Sequence, residues 1–342
     1  MNKVPIHTTV SKSIIVACLL LFLRTSFVVA AEDIIGEWEM KIEHDGLERF
    51  ATLSFSRKAD GSLEGKWGSS ELSDVIFEDG KLTFTRIVTT RARDFIDKYV
   101  GTLEEGRFKG TLSGDLGAFS AKMTRKKAKS PVLGQWDMKF NVGEREITGR
   151  LTISEKPNGT LAGKWEAEFG EHVVSNVKFK NGKLTYTRKS KFGERGWEST
   201  FDGTIKGHKL IGAFKSQRGE LPATGERVGA LLVGKWKLIT TIYGTMSTSI
   251  MKIDGDLTGW YEFPGGDELP IKKLKLEGDQ FKFVIEMGRK GLTLRTDFKG
   301  KLNGKTLNGQ LDEKIIDGKL VVEELTKHVI GKKVEATGEK ID

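Results

Sequence analysis

The sequence is poor in cysteine and histidine. Its single cysteine is Cys18, and it lies in residues 1–31, which we expect to be removed on export. The mature chain would then hold no disulfide, no thiolate metal site and no thiol nucleophile. The five histidines form no metal-ligand spacing such as His-x-His. We therefore predict a protein with no bound metal and no cofactor.

Long apolar runs are also missing, and the sequence has no run of the ~20 residues that a membrane span needs. A short run, 14–23, follows basic residues and precedes small ones. This order predicts a secretory signal peptide cleaved near Ala30 or Ala31, and an exported protein that is periplasmic, on the cell surface or secreted. We disfavour a lipoprotein cleavage site at Cys18, because Lys12 leaves almost no apolar stretch before it.

A strong charge of one sign is absent too. The net charge of +9 is modest for 342 residues, and we predict no nucleic-acid partner. The basic run 125–129 is interpreted as a solvated linker, with contact to an anionic surface as the alternative. The chain has no Gly-x-Ser-x-Gly elbow and no phosphate-binding loop. We assign no catalytic residue and favour a protein that is not an enzyme.

What the sequence does contain is one pattern repeated three times. Each copy has about a hundred residues, the size of a small domain, and begins with Gly-x-Trp. A Leu-x-Gly-x-aromatic step and an aromatic-x-Gly-x-aliphatic step follow in the same order in every copy. The predicted domains are 33–127, 132–229 and 232–337, preceded by the signal peptide, 1–31.

The spacing within these steps is two residues, which is the period of a β-strand. Asn-Gly and Asp-Gly turns separate the strands at intervals of about ten residues. Glycines recur within strands, as at Gly101, Gly203 and Gly300, and indicate either tight coiling of the strands or the close approach of another side chain. We predict an all-β protein of three tandem, eight-stranded, antiparallel up-and-down barrels.

Gly-x-Trp on a first strand, followed by an eight-stranded meander, resembles the calycin superfamily of lipocalins, avidins and relatives. The chain is also similar to lipocalin-like repeats found in tandem in exported bacterial proteins. In lipocalins a basic residue of the last strand packs over this tryptophan at the closed end of the barrel. The resemblance implies three such pairs: Trp38 with Arg125, Trp136 with Arg227, and Trp236 with Lys327. Too few tryptophans remain for an avidin-type biotin site.

Two arginines are the most informative polar residues. Pairing the fifth and sixth strands about their hairpin places Arg86 opposite Tyr99, and the aromatic face directs this arginine inward, near Asp97. The same pairing places Arg188 opposite Phe201, without an evident acidic partner, so we expect it to seek an anion. A solvated or locally paired arginine is the alternative. The candidate ligand-binding residues are Arg188, Ser190, Ser199, Tyr186, Trp165, Arg86, Tyr99 and Trp67.

The favoured function is an exported, non-catalytic binding protein that holds a small apolar or amphipathic molecule, or a carbohydrate, inside its barrels. One alternative is an envelope protein with solid barrels that interacts through its outer faces. Another is a hydrolase acting on polysaccharide, with its site in one diverged barrel; a carboxylate pair at Asp94 and Asp97 is the weakest form of this idea. The sequence leaves the oligomeric state open.

Overall fold

The computed structural model of the chain describes residues 34–44, 47–89, 93–115, 117–242, 245–289, 292–317 and 333–341. All regular secondary structure in these residues is β-strand, arranged in closed and nearly closed antiparallel barrels, so the predicted fold class is confirmed. The predicted signal peptide and its cleavage site lie outside the described residues. Within those residues, no helix is long and apolar enough to cross a membrane.

Barrel 1 is a closed meander of eight strands, because each strand pairs with the next and the last pairs with the first. Its strands are β1 (Gly36–His44), β2 (Leu47–Arg57), β3 (Leu63–Trp67), β4 (Ser70–Glu78), β5 (Lys81–Thr89), β6 (Asp94–Glu104), β7 (Arg107–Gly114) and β8 (Gly117–Arg125). This closure leaves no unpaired sheet edge in the barrel.

Barrel 2 repeats the same order of strands with one opening. Its first and last strands pair, but no ladder joins the third and fourth strands in the described residues. Its strands are β9 (Gly134–Val142), β10 (Arg145–Glu155), β11 (Leu161–Glu166), β12 (Glu171–Lys180), β13 (Lys183–Phe192), β14 (Arg195–Lys206), β15 (Lys209–Ser216) and β16 (Gly219–Arg227).

Barrel 3 has the same order, with its fourth strand divided into β20 and β21. Its last strand pairs with its first. Its strands are β17 (Gly234–Ile242), β18 (Thr245–Ile253), β19 (Gly259–Glu262), β20 (Glu268–Pro270), β21 (Lys272–Glu277), β22 (Gln280–Arg289), β23 (Leu292–Asn303), β24 (Thr306–Asp317) and β25 (Lys333–Ile341). The fourth strand of every barrel carries a register shift, at Asp74, Asn176 and Lys273, and each of these residues has a positive φ.

Each barrel is closed at one end by the tryptophan of its first strand. Trp38, Trp136 and Trp236 are buried, and their indole N–H groups donate to the carbonyl oxygen of the residue four positions earlier. Arg125 lies over the first ring at 4.5 Å, and Arg227 lies over the second at 4.2 Å. These large side chains fill the floor of each barrel. We call the opposite end the mouth.

The basic residue over the third tryptophan differs from the one expected. The ammonium nitrogen of Lys340 lies 5.6 Å from the centre of the Trp236 ring and 3.2 Å from the carbonyl oxygen of Leu231. Lys340 thus takes the place assigned to Lys327, which lies outside the described residues. The expectation placed the basic residue as far from Trp236 as Arg227 lies from Trp136, whereas the last strand of barrel 3 begins only at Lys333.

The predicted pairing of the fifth and sixth strands is wrong by two residues. Arg86 lies opposite Asp97, and Phe84 lies opposite Tyr99. In barrel 2, Arg188 lies opposite Ser199. The hairpin there closes with a two-residue turn, 193–194, which is tighter than the turn assumed from the sequence. A shift of two residues keeps every side chain on its predicted face, so the arginines still point inward.

Barrel 3 contacts both of its neighbours through the two turns that flank β19. On one side, the carbonyl oxygen of Gly255 accepts a hydrogen bond of 2.9 Å from Arg227 at the floor of barrel 2. On the other side, the turn 263–267 lies against barrel 1, where Phe50 and Glu268 form a single bridge between the two sheets. These contacts make residues 34–342 one compact unit.

Candidate functional site

Arg86 and Arg188 occupy equivalent places in barrels 1 and 2. Each lies on the fifth strand of its barrel and faces the interior, and the two residues are only 7% and 5% exposed. Each guanidinium stacks on the tryptophan of the third strand, at 4.2 Å for Trp67 and 4.5 Å for Trp165. Barrel 3 has the buried Ile285 at this position. Arg86 and Arg188 therefore allow the same buried cation to be compared in two different surroundings.

Arg86 is neutralised by acidic groups from two barrels. Its guanidinium lies 3.7 Å from the carboxylate of Asp97 and 3.1 Å from that of Asp267. It also donates to the carbonyl oxygen of Gly265. Asp97 comes from the neighbouring strand, as the sequence predicted, whereas Gly265 and Asp267 come from the turn 263–267 of barrel 3. Paired and hydrogen-bonded charges of this kind are tolerated in a protein interior.

The turn 263–267 packs closely against barrel 1 beside Arg86. The ladder between β4 and β5 begins at the pair Leu72 and Arg86, so the arginine lies at one end of this ladder. The turn lies so close to β3 that a Cβ atom on Gly266 would lie 2.5 Å from the carbonyl oxygen of Trp67. Glu262 accepts a hydrogen bond of 2.8 Å from the backbone N–H of Ser69 and holds the base of the turn. A glycine at the tip is therefore a requirement of space.

Arg188 has no such partner. In the part of the chain that the structure describes, it makes no ion pair and no hydrogen bond, and its Nε is buried without an acceptor. Its neighbours are three aromatic rings, Phe214 at 4.1 Å, Trp165 at 4.5 Å and Phe140 at 5.0 Å. The residue opposite it is Ser199, where barrel 1 has the carboxylate of Asp97.

Burial shapes the electrostatics around Arg188. It lowers the pKa of the guanidinium to about 10, so the group keeps its charge at neutral pH. Burial also raises the pKa of Tyr186, whose hydroxyl stays protonated. The hydroxyls of Tyr186 and Ser199 are both buried and lack a hydrogen-bond partner. The interior of barrel 2 therefore presents one cation and two hydroxyls that are available for hydrogen bonds. These groups suit an anionic ligand that carries further polar atoms.

The mouth of barrel 2 is aromatic. Phe192 and Trp197 stack face to face with 4.8 Å between ring centres and 6° between planes. Both rings remain more than a third exposed, and Phe169 on the connection between β11 and β12 is more exposed still. The stacked pair lies one inward-facing position beyond Ser190 and Ser199 on β13 and β14. A ligand reaching Arg188 would pass these rings.

His172 is a candidate site residue that the sequence did not reveal. Its Nδ1 lies 2.9 Å from Oγ of Ser190, and its Nε2 lies 3.0 Å from the carbonyl oxygen of Phe169. The spacing of the histidines gives no indication of this contact, because the sequence does not show that β12 pairs His172 with Ser190. The inward alternation of β12, followed through its register shift, is the signal that could have found this contact.

The candidate residues of the sequence thus divide into two groups. Trp67 contacts the paired arginine of barrel 1, whereas Tyr99 lies opposite Phe84 and stacks on its ring. The residues around the unpaired arginine of barrel 2 are Trp165, Tyr186, Ser190 and Ser199. Among the described residues, no group of histidine, cysteine, aspartate and glutamate side chains is arranged to hold a metal ion.

Comparisons with known proteins give only distant likenesses. No family model matches the chain, and no curated protein matches it. A candidate outer membrane protein of Bacteroides fragilis has 13% identity and a TM-score of 0.23, over 62% of this chain and 98% of that one. A protein of unknown function from Nostoc punctiforme has 11% identity and a TM-score of 0.19, over 90% and 96%. A Transferrin Binding Protein B mutant from Haemophilus parasuis has 10% identity and a TM-score of 0.18, over 89% and 75%.

Proposed function

We propose that the chain is an exported binding protein whose second barrel holds an amphipathic ligand by its carboxylate, with Arg188 as the anion receptor. The observation that carries the proposal is the contrast between two equivalent arginines. Arg86 is met by the carboxylates of Asp97 and Asp267, whereas Arg188 is equally buried and meets no acid in the described residues. A ligand carboxylate would complete barrel 2 as the turn of barrel 3 completes barrel 1.

The energetics favour such a ligand. A buried cation without a counter-ion is costly, and the cation–π contacts offset only about 0.5–2 kcal/mol each. A charge-assisted hydrogen bond to a carboxylate is about twice as strong as a neutral one and allows bidentate geometry. The unused hydroxyls of Tyr186 and Ser199 can donate to the same anion or to a polar atom beside it.

The remainder of the ligand is expected to be apolar. Phe140, Trp165 and Phe214 line the arginine's surroundings, and Phe192 and Trp197 form the entrance. Rings of this kind bind hydrocarbon or aromatic groups with few directional demands. A carboxylic acid with an apolar tail therefore suits both the Arg188 guanidinium and the aromatic rings around it.

The proposal can be tested with a fluorescent fatty acid, cis-parinaric acid, and its methyl ester. The mature protein should bind the acid with a rise in fluorescence and bind the uncharged ester at least about tenfold more weakly. Arg188→Met should abolish this preference for the acid. The matched control is Arg195→Met, which removes the same charge from the exposed end of β14 at the same mouth. Equal binding of acid and ester, or unchanged binding by Arg188→Met, contradicts the proposal.

The exported location is tested separately. Expression of the full chain in a Gram-negative host, followed by fractionation and N-terminal sequencing, should give a mature protein beginning near Ala30 or Ala31. A cytoplasmic protein that keeps its N-terminus would contradict this part of the proposal and would leave the binding site unaffected.

A further inference from the structure

Two side chains and one backbone carbonyl group at the mouth of barrel 2 form a chain of hydrogen bonds that binding alone does not need. The carbonyl oxygen of Phe169 can only accept, so Nε2 of His172, at 3.0 Å, must carry the ring proton. Nδ1 is then the unprotonated nitrogen, and it faces Oγ of Ser190 at 2.9 Å. The hydroxyl of Ser190 therefore donates to Nδ1 of His172. The carbonyl oxygen of Phe169 holds the imidazole in this tautomer, in which Nδ1 can act as a base.

This is the arrangement of an activated serine. A nucleophile within hydrogen-bond reach of a base, with the base oriented by a third group, defines the logic of serine hydrolases whatever the fold. Burial and the nearby charge of Arg188 lower the pKa of His172, so the ring is neutral at neutral pH and able to take a proton. The third group here is a backbone carbonyl in place of a carboxylate.

Groups that can stabilise an oxyanion lie on the same inward face. Arg188 precedes Ser190 by two residues on β13, and Ser199 lies directly opposite Arg188 on β14. The Ser199 hydroxyl is buried with no partner and is free to donate. Donors that are already fixed in a water-poor site stabilise developing negative charge far better than water does.

The arrangement is particular to barrel 2. The place of Ser190 is taken by Val88 in barrel 1 and by Met287 in barrel 3, which have no nucleophile. The architecture that the three barrels share therefore does not require the pair of Ser190 and His172. We infer that barrel 2 hydrolyses carboxylic esters, with Ser190 as nucleophile, His172 as general base and acid, and Arg188 with Ser199 as oxyanion donors. The inference rests on the proposed function in one respect, namely that Arg188 receives the acyl end of the ligand.

The chemistry balances with water as the second reactant. Oγ of Ser190 attacks the ester carbonyl while its proton passes to Nδ1 of His172, and the carbonyl oxygen becomes an oxyanion beside Arg188. The tetrahedral intermediate expels the alcohol, which takes the proton from His172, and leaves an acyl ester on Ser190. His172 then deprotonates water, which attacks the acyl group. Collapse returns the proton to Ser190 and releases a carboxylic acid, whose carboxylate is the anion that Arg188 would bind.

The test combines turnover with covalent labelling of the mature protein. The wild-type protein should hydrolyse p-nitrophenyl butyrate, measured as p-nitrophenolate release, and a fluorophosphonate probe should label Ser190, identified by peptide mass spectrometry. Ser190→Ala and His172→Ala should each lower the rate at least about a hundredfold. The matched control is Ser175→Ala, a serine of β12 outside this hydrogen-bond chain, which should keep the full rate. The wild-type rate should fall on acidification, with a midpoint below the ordinary histidine pKa of 6.5.

The outcomes separate this inference from the proposed function. If the wild-type protein neither hydrolyses the ester nor takes the label, or if Ser190→Ala keeps both the fold and the rate, the esterase inference is overturned. Binding of cis-parinaric acid by Ser190→Ala, still dependent on Arg188, would show that the binding proposal stands alone. Hydrolysis and labelling by the wild-type protein, together with equal binding of the acid and its methyl ester by the inactive Ser190→Ala, would uphold the dyad and reject the anion-receptor role of Arg188.

Discussion

Arg86 and Asp267 form an ion pair of 3.1 Å, although one belongs to the fifth strand of barrel 1 and the other to a turn of barrel 3. The pair has a consequence for each barrel. It neutralises a buried guanidinium in barrel 1, and it fixes the tip of the turn 263–267 against Trp67 and Arg86. Among the described residues, no acidic group lies against Arg188 in this way, and its Nε is buried without an acceptor.

Removing the carboxylate of Asp267 should weaken the contact between barrels 1 and 3. Asp267→Asn keeps the size of the side chain but leaves Arg86 with Asp97 and a carbonyl oxygen alone. Because Asp267 is about a third exposed, we expect a loss of about 1–2 kcal/mol in the free energy of unfolding, measured by urea denaturation. Asp279→Asn, which breaks an exposed ion pair with Lys301 in the same barrel, should cost less. Equal losses in the two variants would show that the inter-barrel pair contributes nothing special.

The two arginines should respond oppositely to the same substitution. Arg86→Met removes the buried cation between Asp97 and Asp267 and leaves them the half-exposed Arg49, 3.8 Å from Asp267, so we expect it to destabilise the protein by about 2–4 kcal/mol. Arg188→Met removes a buried cation that has no counter-ion, so the unliganded protein should lose no stability or should gain some. Thermal and urea unfolding of both variants measure this difference. A loss in Arg188→Met as large as that in Arg86→Met would indicate an acidic partner in the unliganded protein.

Glu268 should give the protein a pH-dependent stability. Burial raises the pKa of this carboxyl above its ordinary value of 4.5, although Thr52 donates a hydrogen bond of 2.8 Å to it. The folded state therefore holds the proton more tightly than the unfolded state, and stability falls as the pH rises from about 4.5 through the folded-state pKa. Glu268→Gln cannot ionise and should not show this fall. The measurement is the free energy of unfolding of both proteins across that range, and parallel curves would contradict the prediction.

Gly203 should not tolerate even a methyl group. A Cβ atom there would lie 2.6 Å from the ring of Phe201 and 2.9 Å from the carbonyl oxygen of Ile211. Gly203→Ala should therefore displace the ring or the neighbouring strand and cost about 1–3 kcal/mol. Gly196→Ala on the same strand is the control, because its Cβ atom would meet nothing closer than 3.7 Å. Both variants are to be compared by urea denaturation, and similar stabilities would refute the steric argument.

This glycine also shows what the sequence could predict. The recurrence of glycine within strands indicated a close approach of another side chain, and in all three barrels an aromatic ring does lie against it. The period of two residues likewise identified the inward faces, because alternation holds whatever the pairing of strands. Fold class and the inward direction of Arg86 and Arg188 follow from such local patterns.

The sequence pattern did not predict the register between neighbouring strands. The pairing of the fifth and sixth strands was displaced by two residues because the length of a hairpin turn is not written in the alternation of its strands. Arg86 consequently faces Asp97 directly. In the same way, the spacing between Trp136 and Arg227 suggested Lys327 for the third floor, whereas the structure places Lys340 there.

The sequence by itself determined the strand content, the threefold pattern and the inward arginines, since each depends on residues close to one another in the chain. The position of Asp97 near Arg86 was part of the sequence prediction, whereas only the tertiary structure showed that a second carboxylate, from barrel 3, meets this arginine. Asp267 reaches Arg86 from 181 positions away in sequence, and His172 meets Ser190 only because β12 and β13 lie side by side. Charge neutralisation and nucleophile activation act over a few ångströms in space, and no periodicity of the chain encodes such distances.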